Sequence, residues 1–392
     1  MARYDLAITG GRVVDPAAGL NDYRDVAFRD GVVVAVEARI DPRDAAETID
    51  ATGSLVTPGF IDAHVHIFPG VSHYGVVPDD TCLPHGATTV VDAGSAGADT
   101  FPGFRRYVIE ASETRIFAHL NISSMGMICE EIGELDDIKW ANIPKALAMI
   151  ERNRDVILGV KVRLTKDQIC SEASGIRPLF LAREAADAAG LPIMVHPQDS
   201  WAESIDQVLA VLRGGDQMTH MYHGMRHGIF GDDGRIRRSV HEARERGVHF
   251  DVGHGAGSFK WGIAEAALEQ GFTPTTISSD LHTHNIDGPV FDLVTVMSKF
   301  LHLGMPLEEM LSRVTSTPAA VIGQAGRLGT LAVGAAGDAV VVEIEEGRFP
   351  LVDSHGETRV APQRVLPRVV VKAGKRVTRE GRTPLNRHVH AH

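Results

Sequence analysis

The stretch Thr57-Pro-Gly-Phe-Ile-Asp-Ala-His-Val-His66 decides how this chain is read. Side chains alternate across a strand, so residues two apart share a face. Over Phe60–His66 that puts Ile61, Ala63 and Val65 on one face and Asp62, His64 and His66 on the other. A second run, Ile157–Leu164, divides in the same way. Leu158, Val160, Val162 and Leu164 are its apolar face, and Gly159, Lys161 and Arg163 oppose them. In a closed barrel the helices cover the outside, so each polar set must point inward. A lysine in that interior is costly unless something neutralises it.

Working outward, six more short apolar runs alternate with longer amphipathic segments. The runs are Thr88–Ala93, Ile116–Ile122, Pro192–His196, Gln217–His220, Val248–His254 and Thr276–Asp280. The segments between and after them include Pro178–Ala189, Ser200–Arg213, Ile236–Arg246, Gly262–Gln270 and Pro289–Leu303. Strand–helix alternation of this kind marks βαβ units. Eight such strands predict an α/β protein with a (β/α)₈ TIM barrel over residues 57–325.

Both ends read differently. Tyr4–Thr9, Gly11–Val14, Asp25–Arg29, Val32–Glu37 and Thr48–Asp50 are short strands between turn signals. Leu331–Val333, Ala339–Ile344, Thr358–Pro362 and Val369–Val377 look alike. Neither end carries enough apolar residues to fold alone, so residues 1–56 and 326–385 are expected to pair into one small β-sandwich domain. Residues 386–392 are expected to form a flexible tail, with His388, His390 and His392 as frayed positions of incidental metal affinity.

Composition narrows the function. At 392 residues the chain exceeds one ordinary core. A net charge of −12 argues against nucleic acid and against an anionic membrane as partner. No apolar run reaches the roughly 18 residues of a membrane span, and no signal pattern opens the chain, so a cytoplasmic location is expected. Cys82, Cys129 and Cys170 are scattered and odd in number, which fits reduced thiols. Histidine, with 19 copies, is the residue whose placement matters.

Three more strand runs end in a polar residue at the same end: His196, His220 and Asp280. Active sites of this barrel lie at the C-terminal mouth of the strands. His64, His66, Lys161, His196, His220 and Asp280 would therefore converge there. Imidazole and carboxylate suit a borderline cation such as zinc. Lysine is not an ordinary ligand, but carbamylated by carbon dioxide it becomes a bridging carboxylate. Taken singly, each residue has a plainer reading: a rim histidine, an ion pair of Lys161 with Asp62, or Asp280 as a cap. An H-x-H at the first strand end followed in order by Lys, His, His and Asp is much harder to obtain by chance.

The segments Thr57–His66 and Gly329-Thr-Leu-Ala-Val-Gly-Ala-Ala-Gly-Asp338 resemble the opening metal motif of the amidohydrolase superfamily and its return into the small β domain. The strand-4 lysine is similar to that of the binuclear branch, which includes dihydroorotases, hydantoinases and phosphotriesterases. Gly247-Val-His-Phe-Asp-Val-Gly-His-Gly-Ala-Gly-Ser-Phe259 resembles the strand-7 motif of the dihydroorotase-like amidohydrolase/deacetylase group. The resemblance implies two divalent metal ions, with zinc the expected identity. His64, His66 and Asp280 would bind the more buried one and His196 and His220 the more exposed one, with carboxylated Lys161 bridging both. No organic cofactor is implied.

Two cations about 3.5–4 Å apart can share a hydroxide and lower its pKa to near neutrality. Asp280 is then the candidate general base and catalytic residue. Arg163 could clamp a substrate carboxylate, or pair with a barrel-rim acid. His254, flanked by Gly253, Gly255 and Gly257, is read as a substrate or supporting contact, with a hydrogen-bonded structural histidine as the rival. The segment Tyr222–Arg238 is either a loop able to close over the substrate or a solvated surface loop. The expected activity is hydrolysis of an amide or ester in a small, carboxylate-bearing acylated 2-hydroxy acid or amino acid. A cyclic amidohydrolase and a non-catalytic scaffold are the alternatives, and a homo-oligomer is a possible assembly.

Overall fold

The computed structural model describes residues 2–166 and 169–381. The expected tail 386–392, with its three histidines, lies outside the described residues.

The N-terminal end forms β1 (Tyr4–Thr9), β2 (Arg12–Asp15), β3 (Leu20–Tyr23), β4 (Asp25–Arg29), β5 (Val32–Glu37), β6 (Ala45–Asp50) and β7 (Leu55–Pro58). The barrel contributes β8 (Phe60–Val65), β9 (Ala87–Gly97), β10 (Arg115–Asn121), β11 (Ile157–Arg163), β12 (Ile193–His196), β13 (Gln217–Met218) and β14 (His249–Phe250). The C-terminal end returns as β15 (Ala339–Val352), β16 (Thr358–Lys372) and β17 (Lys375–Arg376).

Both ends do combine. One sheet runs β5-β4-β1-β6, and the other runs β17-β16-β15-β7-β2-β3. Leu6, Ile8, Val26 and Phe28 from the first pack against Val13, Val56, Val341 and Val371 from the second. The N-terminal end supplies one face and part of the other, and the C-terminal strands complete the second face with Val341 and Val371. The expected barrel start at residue 57 needs correction, because Thr57 and Pro58 pair with Val340 and Ala339 in the sandwich. The chain leaves it at Gly59, where any Cβ would overlap Thr88 Oγ1. The three expected C-terminal strands also become one long hairpin, β15–β16. Its far end leaves the sandwich and lies on the barrel, where Trp261 Nε1 donates to Glu357 O at 3.0 Å and Val365 N to Ser298 Oγ at 2.9 Å. Leu331–Val333 is not a strand.

The barrel strands pair in parallel in the order β14-β13-β12-β11-β10-β9-β8. β8 and β9 are buried along their whole length, as expected of a sheet covered on both faces. The eighth stave, 276–281, closes the ring through single bridges, Asp251 to Thr276 on one side and Val65 to Leu281 on the other. Asp280 N donates to His64 O at 2.7 Å and His66 N to Leu281 O at 3.0 Å across that seam. Helices form within the expected amphipathic segments: Ile205–Leu209, Arg238–Glu245 and Leu293–His302 are shorter than expected, whereas Trp261–Glu269 and Arg177–Ala189 agree to within a residue. Arg177–Ala189 stops at Gly190, whose φ of +68° supplies the left-handed cap. Among the described residues no helix is long and apolar enough to cross a membrane.

Candidate active site

His64 lies near the end of β8 and His66 just past it, and Asp280 lies near the end of the eighth stave beside them, so closing the barrel brings first and last together. One ligand atom from each of the three lies within 4.8 Å of the others. His66 Nε2 is 3.2 Å from Asp280 Oδ1, and His64 Nε2 is 3.4 Å from it. His64 Nε2 and Asp280 Oδ1 are buried and have no hydrogen-bond partner among the described residues. Buried polar atoms are nearly always satisfied, so this pair marks a place built for something else.

The far nitrogens explain why the near ones face inward. Thr219 Oγ1 donates its only proton to Asp251 Oδ2 at 2.7 Å, so it can only accept from His64 Nδ1 at 2.9 Å. His64 is thereby fixed with its proton on Nδ1 and a lone pair on Nε2. His66 Nδ1 meets Ser95 Oγ at 2.9 Å, and Ser95 in turn hydrogen-bonds Asp92. His220 Nδ1 lies 2.6 Å from Gly253 O, which can only accept, so its Nε2 is also a free lone pair. Each relay is the outer support that metal-binding histidines commonly use. Burial first, and the Lys161 charge after it, holds His64 and His66 well below the ordinary histidine range. Burial pulls His220 down to about 3. Neutral imidazole is the form a cation binds.

The other expected ligands join the cluster. The His64 and His220 rings lie 5.1 Å apart, and His220 and His196 4.2 Å. His196 Nε2 contacts Thr165 Oγ1 at 3.1 Å. Lys161 is wholly buried, and the sulfur of Met194 is the hydrogen-bond partner recorded for its Nζ, at 3.3 Å. Burial pulls the lysine down to about 8. Gly94 makes room for it, since a Cβ there would stand 2.6 Å from Lys161 Cγ. The alternative pairing of Lys161 with Asp62 is not found. Asp62 accepts from Ser279 N at 3.0 Å and from Ser279 Oγ, and burial raises it to about 7. Nor does Asp280 cap the segment after it: its carboxylate faces the histidines, and its carbonyl accepts from Asn285 Nδ2 at 2.7 Å.

Arg163 is buried beside the cluster, and Glu134 takes its Nη1, so the acid-paired reading describes what is seen. Its guanidinium also lies 5.3 Å over the Tyr74 ring. Tyr74 in turn packs 5.6 Å from His66 and stacks on His282 at 4.4 Å. His254 commits both ring nitrogens to the protein, one to Lys299 Nζ at 2.6 Å and one to Gly255 O at 3.0 Å, as the structural reading has it. In the Tyr222–Arg238 segment, Ile229 is buried and Phe230 bridges Ile236, so it is packed rather than merely solvated. With Glu203–Ile205 it lines an open cavity of about 370 Å³.

Sequence reasoning missed Asp92, Thr219 and Asp251, although an acid inside an apolar strand run was a usable signal for two of them. Tyr74, Glu134 and His282 lie outside those strands, and nothing in their spacing gives them away.

A barrel mouth with an inward-facing set of neutral imidazoles, a buried lysine and an unpaired carboxylate defines a metal-binding hydrolase. The chain belongs to the amidohydrolase family, which residues 55–377 match, and it is a hydrolytic enzyme. It is 34% identical to a deacetylase of Brucella anthropi over 369 residues, covering 93% of this chain and 91% of that one. Two solved structures are similar along 95% of this chain. One is described as an adenine deaminase (TM-score 0.88, 32% identity, 99% of its own chain) and the other as a dihydroorotase (0.85, 34%, 98%). Three different activities at similar identity mean that the substrate must be argued from the site.

Proposed function

We propose that this enzyme hydrolyses the ester or amide bond of a small acylated 2-hydroxy acid or amino acid. His64, His66 and Asp280 would hold one divalent cation and His196 and His220 another, with zinc suited to these donors. Lys161, low in pKa and without an acidic hydrogen-bond partner among the described residues, would add to carbon dioxide, lose a proton and bridge the two as a carbamate. Two such cations supply an acidified water and an electrophile for the scissile carbonyl. Asp280 would accept the proton of the attacking water and return it to the leaving atom. His64, His66 and His220 stay neutral and fixed through their Nδ1 partners.

The observation that carries the substrate class is Arg163. It stands on the face of β11 that bears Lys161, and Glu134 pairs with its Nη1. A guanidinium has five N–H donors, so those not used by Glu134 and Tyr74 can clamp a substrate carboxylate. The likeness to a deacetylase along nearly the whole chain supports the same reading. A cyclic amide substrate is the second reading, favoured by the equally similar dihydroorotase structure. The non-catalytic scaffold expected as an alternative does not stand, because the chain belongs to a family of hydrolytic enzymes.

The test is hydrolysis by protein reconstituted with zinc and bicarbonate. N-acetyl amino acids and O-acetyl 2-hydroxy acids, in both enantiomers, are set beside dihydroorotate, hydantoins and dihydropyrimidines. Turnover of the open-chain compounds alone is expected; turnover of the rings alone would overturn the substrate class. Asp280→Asn should keep most of the metal and lose most turnover, and retained activity would remove Asp280 as the base.

A further inference from the structure

Lys299 is a second wholly buried lysine, and the proposed hydrolysis does not use it. It sits on the helix Leu293–His302, outside the barrel. Its Nζ reaches three acceptors: His254 Nε2 at 2.6 Å, Val352 O at 2.7 Å and Pro289 O at 2.9 Å. Three acceptors match the three N–H bonds of an ammonium. His254 fits this pattern, because its Nδ1 faces the Gly255 carbonyl and so carries the proton. The ring is further held flat on Phe259, with centroids 4.6 Å apart and planes at 13°.

Val352 belongs to the long hairpin that returns from the sandwich domain. Just beyond it, Ser354 Oγ donates toward the carbonyls of Gly255 at 3.0 Å and His254 at 3.3 Å. Asp353 stiffens this tip by accepting from His355 N at 2.8 Å and Glu357 N at 2.9 Å. The hairpin therefore grips two consecutive residues after barrel strand 7, one through a lysine and one through a serine.

What those residues touch matters for the site. Gly255 N donates to Ser279 O at 3.0 Å, next to Asp280. Gly255 has a φ of +53°, and a Cβ there would overlap Asp280 Oδ2. The backbone of Gly255 thus bounds one side of the Asp280 carboxylate, while His64 and His66 bound the other.

We propose that Lys299 and Ser354 are positioning residues: through His254 and Gly255, the sandwich hairpin sets the placement of the Asp280 carboxylate. This rests on the reading of Asp280 as metal ligand and base. It gives the sandwich domain a part in the reaction and gives His254 a role without substrate contact.

Lys299→Met and Ser354→Ala test it, with Arg359→Met as control. Arg359 also ties the hairpin to the barrel, by an exposed pair with Glu265, but it does not reach Gly255. Two readouts are taken: the visible spectrum of the cobalt-substituted proteins, and kcat and KM separately on whichever panel substrate the wild type turns over. Both test variants should shift the cobalt bands and lower kcat by about 10- to 100-fold, the loss expected from a small misplacement of a reacting group. KM should stay near the wild-type value, and the control should change neither readout. Unaltered bands and kcat in folded variants, even with a lowered melting temperature, would reduce the clasp to a domain staple and overturn the proposal. Should Lys299→Met fail to fold, Ser354→Ala decides alone. Should the wild type turn over nothing on the panel, the substrate reading has failed and the cobalt bands still decide this one.

Discussion

Replacing Gly94 by alanine tests whether this glycine exists to admit Lys161. Two costs are expected. Gly94 has a φ of +92°, and an L-residue in a left-handed conformation costs about 1–2 kcal/mol. The added Cβ would stand 2.6 Å from Lys161 Cγ and 2.7 Å from its Cβ. Those separations are far inside ordinary carbon contact, and overpacking a core costs about 1–3 kcal/mol. The sum is about 2–5 kcal/mol. Gly53→Ala separates the two, because Gly53 has a φ of +81° and nothing within 4 Å. It should show the backbone cost alone. The assay is the denaturant midpoint of each metal-free protein, with zinc stoichiometry after reconstitution in bicarbonate. Gly94→Ala should lose about 1–3 kcal/mol more than Gly53→Ala, and it should bind less zinc because Lys161 is displaced. Adding Lys161→Ala should return the steric part, which a double-mutant cycle reads directly. If Gly94→Ala is no worse than Gly53→Ala and binds the same zinc, the reasoning fails.

Three further outcomes are expected. Thr219→Val breaks the relay from Asp251 to His64 and should weaken metal binding about 10- to 100-fold in chelator competition; unchanged affinity would mean that the relay does not orient His64. Arg163→Met, made with Glu134→Gln so that no unpaired acid is left buried, should raise KM about 10- to 100-fold for carboxylate-bearing substrates but not for their methyl esters, as loss of a charge-assisted hydrogen bond of about 1.5–3 kcal/mol requires. An equal effect on both would remove Arg163 as the clamp. Burial lowers Lys299 from its ordinary 10.5 to about 7, so the folded chain releases this proton before the unfolded one does. Its contribution to stability should therefore rise as pH climbs from about 7 to about 10.5. The wild-type urea midpoint, measured relative to that of Lys299→Met, should increase over that interval, and a flat or falling difference would contradict the sign.

Fold class was legible in the order of the residues, and so was the set of inward-facing residues proposed as ligands. Two-residue periodicity is a local property, so Phe60–His66 and Ile157–Leu164 already showed which residues turn inward. A histidine or lysine on an inward face needs a chemical reason whatever the details of packing. What periodicity cannot carry is contact between distant segments. The eighth stave makes only single bridges, so Asp280 meets His64 only once the ring closes. Asp62 chose Ser279 over Lys161 because closure put Ser279 against it, and Lys161 was left for another role. The relays through Thr219 and Ser95 depend on hydroxyls from neighbouring strands, and Glu134 reaches Arg163 from outside the barrel strands. The hairpin that grips His254 read as separate short strands, because nothing local says that a strand begun in one domain ends on another. Pattern fixes which side chains point inward; only the closed chain decides which of them meet.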